Sequence, residues 1–288
     1  QLSGFRDLLA HFRSLPANFT EDMILKAPSR DVMNKLARST LALYSYDPDP
    51  ENKALEAEML KAVQLIARYP VIVAHAFACK RHYYDNESLY LHRPQEGLSV
   101  AENFLYSVRH DNQFTQDEAR LLDLCLVLHM EHGGGNNSAF ACRVLSSSGT
   151  DIYSAIAAAV GSLKGPKHGG ANMKVMEMFG HIERDVSDWK DEDAVSSYLE
   201  QLLRRQAGDR SGLIYGMGHA IYTLSDPRAV LLKRFARRVA EKKDMLDEFE
   251  LFETVERLAP EVFHRVTGQD KVMCANVDLY SGDRKSTR

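Results

Sequence analysis

Apolar residues recur at helical spacing through most of the chain, and this periodicity constrains the fold more than any other feature of the sequence. In residues 52–78, for example, Leu55, Met59, Val63 and Ile66 follow one another at intervals of three or four. That spacing places them on one face of an α-helix. The period-two alternation of a half-buried strand is nearly absent from the 288 residues. The pattern therefore predicts an all-α fold.

Helix-start signals agree with this fold class. Asp31 precedes an apolar periodic run and is suited to accept free backbone N–H groups. Thr115 is followed three positions later by Glu118, which is the spacing of a capping box. Pro227 opens another run, at a position where its missing N–H is harmless. Pro70 interrupts the run that begins near residue 52 and predicts a kink or a break there.

Composition excludes some classes of partner and site. The 36 basic and 40 acidic residues give a net charge of -4, so no strong field favours nucleic acid. We find neither an apolar run of membrane-spanning length nor a signal peptide, and so expect no membrane partner. The four cysteines lack C-x-x-C spacing, which favours a reducing, cytoplasmic location over a zinc or redox motif. Because the first residue is Gln1, we expect the chain to begin within a longer gene product.

Three segments rich in glycine and histidine interrupt the helical pattern, at residues 131–137, 164–172 and 208–225. Loops of this kind between well-formed helices commonly carry chemistry. His168 should lie near a helix N-terminus, where the positive end of the helix favours a neutral imidazole that can donate a hydrogen bond. An incidental histidine in a capping loop fits the same residues equally well.

A second glycine-rich turn, Gly216 to His219, offers backbone N–H groups that could hold phosphate. It is not a G-x-G-x-x-G pattern after a strand, so a dinucleotide fold is not indicated. Further along, Arg228 falls in the first turn of a predicted helix, where a cation is disfavoured. That position suggests a bound anion, although pairing with a nearby carboxylate is the commoner explanation for a single arginine.

Two other groups have weaker signals. His129 and His132 lie three positions apart, but no third ligand follows at a recognisable spacing, so a metal site is disfavoured. Asp278 follows an apolar stretch and could act as a base, while an aspartate before a turn is more often a cap.

Taken together, four segments resemble the motifs of the citrate synthase family in order and spacing. Two positions depart from these motifs: Lys167 replaces the usual Leu of G-P-L-H-G-G-A-N, and Glu131 replaces the usual Asp of H-x-D-H-x-x-x-N/S. The segments are Gly165 to Asn172 (G-P-L-H-G-G-A-N), Gly216 to Arg228 (G-x-G-H…D-P-R), Asn276 to Gly282 (N-V-D-x-x-S-G) and His129 to Ser138 (H-x-D-H-x-x-x-N/S).

The resemblance implies a reaction and a set of roles. Asp278 would remove a proton from the methyl group of acetyl-CoA, and neutral His168 would hydrogen-bond the thioester oxygen. His219 would protonate the keto oxygen of oxaloacetate, while Arg228 and His132 would hold its carboxylates. No metal or other cofactor is implied. The residues expected to line the coenzyme A site are Leu213, Ile214, Tyr215, Gly216, Met217 and Gly218.

The resemblance also implies an architecture, in which a large and a small helical domain close over the substrates of this tricarboxylic acid cycle reaction. Residues 1–172 would form part of the large domain, residues 173–282 the small domain, and residues 283–288 a tail outside the family pattern. A homodimer through the large domains is expected. Both ends of the family fold are expected to be missing, together with arginines for the substrate carboxylates, and Thr223 replaces a common Lys or Arg near coenzyme A.

Two other functions fit the same residues. A 2-methylcitrate synthase would use propionyl-CoA with the same catalytic groups, since one methylene changes binding by only ~1–3 kcal/mol. A non-catalytic relative that binds metabolites is favoured by the missing ends and Thr223, and is opposed by the retained His168, His219, Arg228 and Asp278.

Overall fold

The computed structural model of the chain describes residues 2–130, 135–166, 168–218, 222, 224–270 and 273–282, and helices dominate this part. It contains no strand, and one isolated antiparallel bridge joins Met217 to Ala275. The prediction of an all-α fold is confirmed. In chain order the α-helices are α1 (Leu2–Phe12), α2 (Val32–Ala42), α3 (Leu55–Asp85), α4 (Val100–Val108), α5 (Gln116–Met130), α6 (Asn137–Ser147), α7 (Ile152–Leu163), α8 (Ala171–Asp185), α9 (Glu192–Leu203), α10 (Pro227–Lys242), α11 (Leu246–Thr267) and α12 (Val277–Ser281).

The chain divides into two compact units, Gln1–His168 and Gly169–Arg288. The first unit holds α1 to α7, with a π-helix over Thr20–Leu25 and a 3-10 helix over Leu43–Tyr46. The second unit holds α8 to α12. The assignment of residues 1–172 and 173–282 to a large and a small domain of the family stays a prediction.

The predicted helix starts are present with their capping bonds. Asp31 accepts the N–H of Asn34 at 2.7 Å and begins α2. The capping box before α5 is formed, because the N–H of Glu118 donates to Thr115 and the N–H of Thr115 donates to the Glu118 carboxylate. These bonds satisfy backbone donors that the first turn of a helix leaves without intrahelical partners.

Pro70 does not break α3, because the helix runs without interruption from Leu55 to Asp85, so of the two expected outcomes the break is wrong and the kink stays a prediction. Proline removes one intrahelical hydrogen bond, but Val71 and Ile72, which follow it directly, are buried in the first unit. Tertiary packing therefore outweighs the local cost. The hydrophobic core that α3 joins consists of Phe19, Ile24, Leu36, Leu43, Leu65, Ile72, Ala76, Cys79, Tyr153 and Val160.

Helix α3 also corrects the expectation that no apolar run reaches membrane-spanning length. An 18-residue window of α3 has a mean hydropathy of 1.4, so α3 meets the length and composition criteria of a membrane-spanning helix. Within that window, 39% of the residues are buried inside the structure. The central helix of a globular core meets the same two criteria, so they do not by themselves assign α3 to a membrane.

The second unit is built around α9 and α11, which pack against each other, while α12 packs against both α8 and α10. Phe179 of α8 stacks on Phe252 of α11 with ring centroids 3.6 Å apart. Phe252 also lies beside Tyr280 of α12, with ring centroids 6.4 Å apart, and α12 carries Asp278. Fully or nearly fully buried residues of this unit include Val175, Phe179, Ile182, Val195, Leu199, Leu232, Leu251, Val255, Ala259 and Leu279.

Candidate active site

In the first unit, the His168 imidazole contacts the first turn of α6. Its Nε2 accepts the backbone N–H of Ser138 at 3.2 Å and lies 2.9 Å from the Ser138 hydroxyl oxygen. A backbone N–H can only donate, so Nε2 must present a lone pair. In this geometry Nε2 is the acceptor, so the proton of a neutral ring lies on Nδ1. A neutral imidazole with an Nδ1–H can donate a hydrogen bond to an oxygen that is gaining negative charge.

The first turn of α6 is fixed by its own cap. Asn136 accepts the N–H of Ala139 at 2.9 Å and the hydroxyl of Ser138 at 2.7 Å. The N–H groups in the first turn of a helix have no intrahelical partner. Asn136 accepts one of them, and the N–H of Ser138 donates instead to His168. The helix N-terminus that contacts the His168 ring is therefore that of α6, and Ser138 lies 30 positions before His168 in the chain. Ser138, the last residue of a family motif, was given no role from the sequence.

In the second unit, the glycine-rich turn is joined to the segment that precedes α12. The N–H of Gly218 donates to the carbonyl of Cys274 at 2.7 Å, and the N–H of Asn276 donates to the carbonyl of Gly216 at 2.9 Å. The side-chain amide of Asn276 adds a bond to the carbonyl of Gly218 at 3.0 Å. Residues distant in sequence are thereby held in one rigid backbone unit.

Gly216 is required at its position for two reasons. Its φ is +81°, in the left-handed region that side chains rarely adopt. A Cβ on it would lie 2.8 Å from Leu279 Cδ1, closer than real Cβ contacts come, and 3.1 Å from Leu279 Cα, closer than most of them. The glycine therefore lets the turn approach the backbone of α12 directly.

Asp278 lies in the first turn of α12, half-buried, and is not the cap of that helix. Asn276 is the cap, and its side chain accepts the N–H of Asp278 at 3.0 Å. At the other end of α12, the Asn172 amide donates to the Ser281 hydroxyl at 2.9 Å and to the Asp278 carbonyl at 3.4 Å. The capping role considered for Asp278 from the sequence is therefore wrong, and Asn276 holds its backbone in place.

Arg228 forms an ion pair with Asp226 of the same chain. Its Nε donates to Asp226 Oδ1 at 3.0 Å and its Nη2 to Oδ2 at 2.9 Å. These hydrogen bonds raise the pKa of Arg228 above its ordinary value, and the charges of Tyr222 and Asp278 act in the same direction. The guanidinium also lies 5.9 Å from the centre of the Tyr222 ring. The placement of Arg228 at a helix start is thus explained by a carboxylate two residues before it.

The residues expected to line a coenzyme A site differ in exposure. Leu213 is exposed, whereas Ile214 is 4% exposed and belongs to the core. The Tyr215 hydroxyl donates to the Asp209 carboxylate at 2.8 Å. A ligand on this turn would therefore meet backbone groups and a few side chains.

The other predicted site residues, His132 and His219, lie outside the described residues, as do Glu131, Lys167 and Thr223. Within the part that is described, no three His, Cys, Asp or Glu side chains are grouped as metal ligands. The structure places His168 in the first unit. In the second unit it brings together the Gly216 to Gly218 turn, Arg228 and Asp278.

Comparison with known proteins agrees with these motifs. The family model described as citrate synthase, C-terminal domain, matches residues 1–283. A citrate synthase of Deinococcus radiodurans is 34% identical over 250 residues, which is 87% of this chain and 60% of that protein.

Solved structures show the same fold. The crystal structure of citrate synthase from Pyrobaculum aerophilum matches with a TM-score of 0.77 at 27% identity, covering 98% of this chain and 67% of that one. A ternary complex of carboxymethyl coenzyme A and oxaloacetate with citrate synthase from Thermoplasma acidophilum matches with a TM-score of 0.76 at 22% identity, covering 98% and 68%.

The helical fold of the described residues and the four sequence motifs together define the class of protein. The chain belongs to the citrate synthase family. It spans 60% of the length of its Deinococcus relative and about two thirds of the two solved structures.

Proposed function

We propose that the protein is an acyltransferase that condenses acetyl-CoA with oxaloacetate and hydrolyses citryl-CoA to citrate and coenzyme A. The observation that carries this proposal is the arrangement in the second unit, where Asp278, Arg228 and the Gly216 to Gly218 turn are held together by one hydrogen-bonded network. That network supplies a carboxylate base, an anion-binding cation and a backbone surface for a thioester substrate. Family membership supports the same reaction, and so do the ligands named for the Thermoplasma structure, carboxymethyl coenzyme A and oxaloacetate.

In the first step, the Asp278 carboxylate removes a proton from the acetyl methyl group. The electron pair of the broken C–H bond moves toward the thioester, and negative charge develops on its oxygen. The Nδ1–H of His168 donates a hydrogen bond to that oxygen. Its ability to do so rests on the bond from Ser138 to Nε2, which keeps the proton on Nδ1.

In the second step, the enolate carbon forms a bond to the keto carbon of oxaloacetate. The keto oxygen takes a proton from His219, while Arg228 and His132 hold the carboxylates of the same substrate. Leu213 to Gly218 hold coenzyme A, chiefly through the backbone. Water then cleaves citryl-CoA, leaving a hydroxyl on the acyl carbon and a proton on the thiol.

We further propose that the protein acts as a homodimer in the cytoplasm. Support for a second copy comes from α6, which has no buried residue in the single chain. Cys79, Cys142 and Cys274 form no disulfide, as a reducing compartment would keep them. The exposed apolar side chains available for pairing on α5 and α6 are Leu126, Val127, Met130, Phe140 and Val144.

The reaction is tested by release of thiol from acetyl-CoA with and without oxaloacetate. We expect release only when oxaloacetate is present, and a loss of about 10²–10⁴-fold in kcat for Asp278→Asn, because general base catalysis contributes on that order. Asp270→Asn is the matched control, since the Asp270 side chain is 94% exposed. Release that is independent of oxaloacetate, or equal in the two variants, would contradict the proposal.

A comparison of kcat/KM for acetyl-CoA and propionyl-CoA separates citrate synthase from 2-methylcitrate synthase. We expect acetyl-CoA to be preferred. Binding of oxaloacetate without any turnover would instead support a non-catalytic metabolite-binding protein.

A further inference from the structure

The most completely buried acidic side chain in the described part of the second unit is Asp226, with 0% of its surface exposed. Its Oδ1 accepts the backbone N–H and the Nε of Arg228, each at 3.0 Å. Its Oδ2 accepts Nη2 of Arg228 at 2.9 Å and the backbone N–H of Val277 at 3.1 Å. One carboxylate therefore binds both the substrate-binding arginine and the residue directly before Asp278.

Capping of α10 accounts for only one of these bonds. A cap at this position needs a single side-chain oxygen for a backbone N–H of the first turn, and the Arg228 N–H supplies that bond. Val277 lies 51 positions away and belongs to another helix. Burial of a carboxylate is costly unless its oxygens are hydrogen-bonded, so the bonds to Arg228 and Val277 are needed to keep it there.

We infer that Asp226 is a positioning residue that orients both Arg228, which binds oxaloacetate, and Asp278, which acts as the base. It holds the Nε and Nη2 edge of Arg228 and so fixes the orientation of the guanidinium plane. Through Val277 it fixes the first turn of α12, from which Asp278 projects. This inference rests on the proposed function for the roles of Arg228 and Asp278. Asp226 itself touches neither substrate.

The first test compares Asp226→Asn with Asp191→Asn in the full chain. Asp191 is a suitable control because it caps α9 through the N–H groups of Asp193 and Ala194, is exposed, and bonds to no second helix among the residues that the structure describes. We expect Asp226→Asn to raise KM for oxaloacetate and lower kcat together, by about 10²-fold in kcat/KM, as small misplacements of reacting groups do.

The kinetic pattern distinguishes positioning from a general structural role. Loss of folded protein would lower the apparent kcat without changing KM, and Asp191→Asn should change neither. In an Arg228→Ala background, Asp226→Asn should raise KM for oxaloacetate little further, because the residue it orients is gone. Asp226→Asn with wild-type KM and kcat would overturn the inference.

A second measurement does not depend on turnover. Hydrogen–deuterium exchange of the peptide that contains Val277 and Asp278 should be about tenfold or more faster in Asp226→Asn, because the Val277 N–H loses its charged acceptor. Asp191→Asn should leave that peptide unchanged. An inactive wild type would refute the proposed function, while the exchange result would still decide whether Asp226 holds α12. Equal exchange in wild type and Asp226→Asn would overturn the inference.

Discussion

The protonation of one imidazole follows from one backbone donor. Because the Ser138 N–H points at Nε2 of His168, we predict that the neutral ring is the Nδ1–H tautomer. Nitrogen-15 NMR of the histidine rings measures this directly. Ser138→Ala should keep the same tautomer, since it removes the hydroxyl and retains the backbone N–H. An Nε2–H signal for His168 in either protein would contradict this geometry.

Gly216 and Gly268 allow the cost of a strained backbone to be measured separately from the cost of a close side-chain contact. Gly216 and Gly268 both have positive φ, at +81° and +67°, but a Cβ on Gly268 would have nothing within 4 Å, whereas one on Gly216 would meet Leu279. We predict that Gly268→Ala lowers the free energy of unfolding by about 1–2 kcal/mol, the cost of a left-handed conformation. Gly216→Ala should cost more, about 2–4 kcal/mol. Urea denaturation of both variants checks this, and equal losses would contradict it.

At the residue scale, the sequence identifies groups within a motif more readily than the groups that orient them. His168, Arg228 and Asp278 stand out because each follows or joins a glycine-rich or D-P-R segment. The bond from Asp226 to Val277 spans 51 positions, and that from Ser138 to His168 spans 30. Local pattern cannot predict such contacts, because they depend on which helix ends the tertiary fold brings together.

At the element scale, α3 carries a half-buried histidine, His75, whose protonation opposes folding. The His75 ring lies 2.9 Å from the Thr20 hydroxyl through Nδ1, and its burial lowers its pKa below the ordinary 6.5. A lowered pKa means that the unfolded chain binds more protons than the folded protein below about pH 6.5. The stability that His75 contributes is therefore fully present above that pH and is lost as the pH falls toward the folded pKa.

We predict that His75→Gln flattens the pH dependence of unfolding free energy between about pH 7 and pH 5. The measurement is urea denaturation at a series of pH values. His82→Gln is the control, because His82 lies on the same helix and is exposed. A pH dependence that is unchanged in His75→Gln would show that His75 does not couple protonation to folding.

Helix starts are the elements that the sequence predicts best. Asp31 and the Thr115–Glu118 pair act within a few residues, so the capping bonds are encoded locally. Pro70 shows the limit of local reasoning, since the buried residues that follow it keep α3 continuous. Helix length and hydropathy do not assign α3 to a membrane for a similar reason, because composition does not say whether an apolar helix contacts lipid or protein.

At the scale of the whole molecule, pairing through α5 and α6 gives a testable assembly. We predict that the wild type is a dimer at micromolar concentration and that Phe140→Asp is monomeric, because Phe140 is 60% exposed and a carboxylate there would be buried against a second copy. Leu224→Asp, at a 91% exposed site in the second unit, should remain dimeric. Sedimentation velocity measures this, and a dimer that survives Phe140→Asp would place the interface elsewhere.

The central claim is that Asp278 takes a proton from the acetyl methyl group so that its carbon can attack oxaloacetate. Mass spectrometry of the product from trideuteroacetyl-CoA and oxaloacetate tests this most directly. We predict citrate that has lost one of the three deuterium atoms of the acetyl group, formed about 10²–10⁴-fold more slowly when Asp278 is replaced by Asn. Free trideuteroacetate as the only product, or no conversion of acetyl-CoA by the wild type, would contradict the claim.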